Sequence, residues 1–359
     1  MKSTLFKDFL RESFTPPSKS NYNSQDHNRI EFFDLAKGVC IILVVLCHID
    51  NISSIPNFNA LRMPLYFVLS GFFFKAYEPK VFFIKKVNNI AVPFVFWLFV
   101  SDILRMGDDL YLHRETVDFS LIHFIKTPFL HRSEIETNAP LWFLICLFIT
   151  NIIFYIVYSI CKSSKKICFA VTILAFVGYI CFRNGIKLSL WIDSSLLALP
   201  FFVLGYFCRY IPYLKSEYSM KKSLLLGMIL IITSYIIYYT FGHPHIIIGQ
   251  TFFQGNFILC YLNSMTMVMG VLLLCKVIKW LPVVSYFGRY SIVVLCVHML
   301  IIFYFTAIFE KCSGHEVATN WERVIIVMMM CWFSIPVCKK WLPYFVAQKS
   351  LFKVKPMGK

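Results

Sequence analysis

Charge is what this chain has least of. Of its 359 residues only 15% are Asp, Glu, Lys or Arg, while 58% are hydrophobic and the mean hydropathy is +0.67. A soluble domain carries roughly 45–50% apolar and about 25% charged residues. The shortage excludes an ordinary water-soluble fold and points to a polytopic membrane protein. Acidic residues are the scarcer kind, 19 against 35 basic, for a net charge of +16. A cationic surplus serves nucleic acid when it forms one face. Here the cations fall between apolar segments, so nucleic acid is not an expected partner. None of the 13 cysteines makes a C-x-x-C pair. Nearly all lie in apolar segments, where a free thiol packs as a small hydrophobe. Cys40/Cys47 and Cys331/Cys338 share a helix face by their spacing, which implies nothing redox. No Walker loop, dinucleotide fingerprint, nucleophile elbow or zincin motif occurs. No transporter-type internal repeat is evident. Residues 1–28 are polar and mixed, so no secretory leader is expected.

What is present is a series of apolar runs bounded by charge, Pro and Gly. They read as spans over 32–50, 60–77, 89–105, 140–160, 167–182, 191–208, 222–241, 256–275, 286–309 and 322–345. The expected fold is therefore all-α and integral to the membrane, with about ten transmembrane helices. Arg62, Pro64 and Gly71 interrupt the second span, and Asp193, Pro200 and Gly205 the sixth. Broken helices at membrane depth occur where they line an enclosed cavity, which makes both spans suspects for a site. With the N-terminus in the cytoplasm, 25 of the 35 basic residues fall on the cytoplasmic side. The positive-inside rule thus favours both termini there. The expected division is a polar cytoplasmic tail over 1–28, one membrane domain over 29–345 and a basic cytoplasmic tail over 346–359. The one long connection, 106–139, is external and holds acidic residues with His113, His123 and His131. A functional loop and a solvated cap both suit it.

The chain is organised around 29–50, where an apolar run is bracketed by Lys37 and His48. At about 1.5 Å per residue their spacing covers roughly 16 Å, about half the hydrocarbon thickness. Ionisable groups inside a span are costly and mark functional sites. An imidazole there can take a proton from a hydroxyl. The bland alternatives are a packed histidine and a lysine that snorkels to the interface. Asp34 lies at i,i+3 from Lys37, so the two can pair. In the second span Arg62 sits at the external end, and Ser70-Gly71 permits close backbone approach. Lys85-Lys86 forms a basic cytoplasmic turn before Asn88, Asn89 and Pro93, which equally suits an ordinary anchor. Trp142 opens the fourth span and equally suits an interfacial belt. Asp193, Arg289 and His298 are candidates for a second cluster of buried polar partners. His243-Pro244-His245 offers two metal ligands with no third in register, so no metal is expected.

Five stretches together resemble one family. They are the run from Arg29 through Asp34 and Lys37 to Gly38; the basic residue ten positions short of His48; Met63-Pro64 through Ser70-Gly71; Pro140-Leu141-Trp142-Phe143-Leu144; and Gly288-Arg289-Tyr290-Ser291 followed by His298. In this order they resemble the acyltransferase-3 family of multi-pass membrane O-acyltransferases, many of which acetylate bacterial surface polysaccharides. The resemblance implies a ten-helix domain in the bacterial inner membrane. Acetyl-CoA would be a co-substrate, with no permanently bound cofactor, and the acceptor a sugar or polysaccharide hydroxyl. His48 would be the catalytic imidazole, Lys37 its accompanying cation and Asp34 their neighbour. Lys37, Lys85 and Lys86 would hold the donor; Arg62, Ser70, Trp142 and His298 would face the acceptor. Membrane lipid is the other expected partner, and the sequence carries no signal for an oligomeric state. Two departures stand out. Lys37 replaces the more common Arg, which keeps the charge but loses bidentate phosphate geometry. Asn89 stands where a basic residue often precedes the proline. A transporter or flippase of lipid-linked sugars, or a structural partner in polysaccharide assembly, would fit the intramembrane charges equally well on physical grounds.

Overall fold

Hydrocarbon offers backbone amides no water, so a spanning chain must satisfy them within helices or a closed barrel. The computed structural model describes residues 2–16, 31–49, 55–111, 138–211, 214, 219–305 and 320–353. Arg29, residues 112–137 with His113, His123 and His131, and residues 354–359 lie outside that set. The described chain is helical apart from short turns and one two-stranded antiparallel hairpin, β1 (His245–Ile247) against β2 (Phe252–Gln254). In order, the helices are α1 (Lys2–Phe14), α2 (Glu31–His48), α3 (Arg62–Phe72), α4 (Pro79–Lys86), α5 (Val92–Tyr111), α6 (Trp142–Cys161) and α7 (Ser164–Arg183). Then come α8 (Ile192–Cys208), α9 (Met220–Thr240), α10 (Phe257–Ile278), α11 (Val284–Arg289), α12 (Ser291–Leu300) and α13 (Asn320–Trp341).

Each expected span coincides with a helix, but among the described residues only seven helices are long and apolar enough to cross a bilayer. The three shortfalls have physical causes. α2 carries Glu31, Asp34 and Lys37 within its 18 residues. α3 has 11 residues, ending at Phe72 rather than 77. α12 is short and passes into a π-helical turn over Ile301–Phe305. The basic turn expected at Lys85-Lys86 is instead the end of α4, joined to α5 through a π-helical turn over Val87–Ala91. Pro93 supplies the reason. Its ring has no N–H to donate and would clash with the carbonyl four residues back, and a wider turn relieves both.

The chain divides into two compact units: Met1–Phe74 with Phe201–Ile247 and Phe252–Val294, and Lys75–Pro200 with Ile248–Thr251 and Leu295–Lys359. In the first, helices meet through glycine. A Cβ at Gly71 would overlap the Phe202 carbonyl, and one at Gly205 the Val68 carbonyl. The close approach expected at Ser70-Gly71 is thus a helix crossing. The sixth span, expected to be interrupted at Pro200 and Gly205, is continuous helix over Ile192–Cys208, and Gly205 serves the same kind of crossing. The same unit contains a buried amide network. Asn57, in the left-handed conformation, donates to Ser234 Oγ (2.8 Å) and Asn263 Oδ1 (3.0 Å). Asn263 donates in return to Asn57 Oδ1 (2.7 Å) and to the Pro244 carbonyl (2.8 Å). In the second unit, the segment expected as a basic tail packs back. Asn88 donates to the Phe352 carbonyl (2.9 Å) and accepts from its N–H (2.8 Å), while Phe345 stacks on Phe96 at 3.9 Å.

Candidate active site

α2 is the helix that arranges the chemistry of the first unit. Its apolar run from Val39 to Cys47 favours burial, and acidic residues in its first turn suit the positive end of the helix dipole. Three turns of helix take about 10.8 residues, so Lys37 and His48 lie on nearly the same face, roughly 16 Å apart along the axis. The spacing singled out in sequence thus aligns the two groups as well as separating them.

At the Lys37 end the geometry is tight. A Cβ at Gly38 would overlap the Val284 carbonyl, and one at Gly288 would overlap the Asp34 carbonyl, so α2 and α11 cross with their backbones in contact. That crossing delivers Arg289 to Asp34, which is 4% exposed, with Nε 3.8 Å from Oδ2. Arg289 gives Asp34 a counter-charge that no spacing within α2 points to. Half-buried Lys37 sets its ammonium 5.3 Å from the centroid of the Phe73 ring. The Tyr66 hydroxyl donates to the Lys37 carbonyl at 3.3 Å and shares a hydrogen bond with Ser291. Tyr66, on α3, fixes the backbone at Lys37, a role with no sequence signal beyond its place in the Met63–Gly71 stretch. Ser70 lies one turn further along α3, half-buried.

The His48 end is built differently. Nδ1 of His48 lies 2.7 Å from the Val44 carbonyl. A carbonyl only accepts, so Nδ1 carries the proton, and in the neutral ring the basic lone pair belongs to Nε2. The Arg62 guanidinium is close enough for its charge to act on the ring. Arg62 is held three ways: its Nη1 donates to Cys47 Sγ, its carbonyl accepts from Cys40 Sγ, and its guanidinium lies 5.0 Å from the Phe58 ring centroid. The two same-face cysteines, expected only as filler, are what Arg62 rests on. Phe58 follows Asn57 directly, so the buried amide network anchors the floor beneath the guanidinium.

The remaining candidates belong to the second unit, except His243 and His245, which lie in the first. The Lys85 ammonium sits 3.6 Å from the Tyr77 ring centroid, and that of Lys86 5.5 Å from Phe82. Asn89 is exposed, and its buried neighbour Asn88 makes the structural contacts. Half-buried Trp142 presses its ring on Gly249, where a Cβ would come within 2.6 Å. His298 is fully buried on α12. Asp193 is also fully buried and accepts from Thr251 Oγ1 at 2.8 Å. Of the three residues expected as a second cluster, Asp193 and His298 are buried in this unit, and Arg289 serves Asp34 in the first. His245 Nδ1 donates to the His243 carbonyl at 2.9 Å. Among the described residues no three His, Cys, Asp or Glu gather as metal ligands do.

Comparison with known proteins adds the family. The chain is 25% identical over 228 residues to nodulation protein NolL of Sinorhizobium fredii, an alignment covering 59% of this chain and 57% of that protein. The chain therefore spans little more than half the length of the curated relative it matches. No solved structure matches it. The family model for an acyltransferase domain matches residues 30–339, a stretch that includes Asp34, Lys37, His48, Arg62 and Arg289 and leaves out only α1 and the last residues. This chain belongs to the acyltransferase-3 family.

Proposed function

We propose that the protein is a membrane O-acyltransferase that moves an acetyl group from acetyl-CoA to a hydroxyl of a cell-surface or lipid-linked polysaccharide. The observation that carries this reading is the His48 arrangement: an imidazole whose Nδ1–H is engaged by Val44, with Arg62 bonded to the neighbouring Cys47 and Lys37 on the same helix face. The topology that goes with it has ten crossings of the bacterial inner membrane by one domain over 29–345, with both termini cytoplasmic. That orientation puts Lys37 toward the compartment that holds the donor, and its charge attracts the donor phosphates.

His48 Nε2 takes the proton of the acceptor hydroxyl as its oxygen attacks the thioester carbonyl. The C–S bond then breaks, and the imidazolium returns the proton to the departing thiolate. A transient acyl-imidazole is the covalent version of the same step. Arg62 would stabilise the oxyanion that forms as the acceptor oxygen attacks, a role its charge suits. Asp34 acts one step removed, holding α11 and the Lys37 turn through Arg289. The acceptor roles of Ser70, Trp142 and His298 and the donor roles of Lys85 and Lys86 are separate proposals, each judged by its own variant.

The test is transfer by the purified chain in lipid nanodiscs, followed by mass spectrometry of the acceptor with labelled acetyl-CoA. The expected result is labelled acetyl on the acceptor, lost in His48→Gln. Full transfer by a correctly inserted His48→Gln protein would end the assignment. A wild-type protein that transports a lipid-linked sugar and releases no thiol would replace it with the flippase reading.

A further inference from the structure

α1 lies outside the family match yet is docked against the residues that hold the Lys37 end of α2. Its inner face meets α11 and the residues that flank it, Val283 and Tyr290, at three points. The Ser13 carbonyl accepts from the Val283 N–H at 2.9 Å, Glu12 Oε2 accepts from the Tyr290 hydroxyl at 2.8 Å, and Phe9 packs edge-on to Tyr286 at 5.9 Å. Phe9 is 4% exposed and Ser13 fully buried. α11 in turn crosses α2 at Gly288 and joins Asp34 through Arg289. A continuous chain of contacts therefore runs from α1 through α11 to the turn that bears Lys37.

The outer face of α1 has a different character. At about 100° per residue, Phe6, Leu10, Phe14, Lys7 and Arg11 fall within one arc of roughly 140°. Phe6 and Phe14 are 54% and 53% exposed, and Lys7 and Arg11 are exposed between them. The two acids of this stretch, Asp8 and Glu12, lie outside that arc. Exposed aromatics interleaved with cations, and no acid among them, match the boundary of an anionic bilayer, where rings enter the acyl edge and cations meet headgroups.

We infer that α1 is an interfacial helix that binds anionic lipid headgroups with its outer face and, through Glu12–Tyr290 and Arg289–Asp34, sets the Lys37 end of α2. Glu12 and Tyr290 are positioning residues; neither touches substrate. Each cation near an anionic surface contributes about a fivefold factor in binding, so removing both is a large perturbation.

The experiment uses the full chain in nanodiscs of phosphatidylcholine alone or with phosphatidylglycerol. Hydrogen exchange is read over residues 2–14 and 31–38, and the donor KM is read beside it. In the wild type, phosphatidylglycerol is expected to slow exchange in both segments and to lower the donor KM roughly fivefold or more. Lys7→Gln/Arg11→Gln should behave alike in both lipids and match the wild type in phosphatidylcholine. Glu12→Gln and Tyr290→Phe should keep the lipid response over 2–14 and lose it over 31–38. Exchange over 2–14 that ignores the lipid, or a full response in the Lys7/Arg11 variant, overturns the proposal. A response confined to 2–14 in the wild type overturns the coupling and leaves a simple anchor. The KM arm rests on the acyl-donor reading of Lys37, whereas the exchange arm does not. A wild type without transfer activity therefore ends that reading while the exchange data still decide this one.

Discussion

The two ends of α2 hold their charges by opposite means. At Asp34 and Lys37 the solution is ionic and rigid: a carboxylate faces Arg289, and Gly38 and Gly288 press two backbones together. At His48 a guanidinium is held without any carboxylate among its described contacts, resting on the Cys47 thiol and an aromatic ring, while the Cys40 thiol holds the same residue's carbonyl. A cation paired with a carboxylate has spent much of its field on its partner, whereas one held by a thiol and a ring keeps most of it for a charge yet to appear. On the proposed reading, the first end suits fixed binding and the second suits charge development.

The sharpest way to break this contrast is His48→Gln, which keeps a polar side chain and removes the base. A loss of about 10²–10⁴-fold in kcat is expected, with normal insertion, read as acetyl transfer at saturating donor. Asp34→Asn attacks the other end through stability, leaving Arg289 buried beside a neutral amide. A cost of about 3–5 kcal/mol is expected by thermal unfolding in detergent, and Asp34→Leu/Arg289→Met should recover most of it because both charges go together. If the double variant is no better than the single one, the ion pair is not what holds α11 to α2. Arg62→Gln should lower kcat about 10²-fold with little change in donor KM, the pattern of a group that acts in the transition state. Lys37→Gln should do the reverse, raising donor KM about tenfold while kcat at saturation stays close to wild type. An Arg62 effect seen only in KM, or a Lys37 effect seen only in kcat, would exchange the roles given to the two ends.

The helices were legible because hydrophobic runs must cover a bilayer, and the runs fall on helical segments, seven of them long and apolar enough to cross among the described residues. Lys37 and His48 were legible because ionisable groups inside such runs stand out against an apolar background. What stayed hidden is long range. Nothing near Asp34 in sequence names Arg289, and nothing in the Gly288-Arg289-Tyr290-Ser291 stretch names the Asp34 carbonyl as what Gly288 meets. The amide network of Asn57, Ser234 and Asn263 draws on three distant segments, none polar enough alone to attract notice. The π-helical turn before Pro93 was hidden for another reason. Proline marks a break, but whether the chain bends or widens there depends on the packing around it.

Because Lys37 and His48 sit on one unbroken helix, α2 is a gauge with both a length and a phase. Adding one residue to the run between them changes the length by only about 1.5 Å but turns one group about 100° away from the other. Adding a whole turn restores the phase and lengthens the gauge by about 5.4 Å. On the proposed reading, a protein built on such a gauge tolerates apolar exchange along the run, apart from Cys40 and Cys47, which hold Arg62, and almost no change in the number of residues.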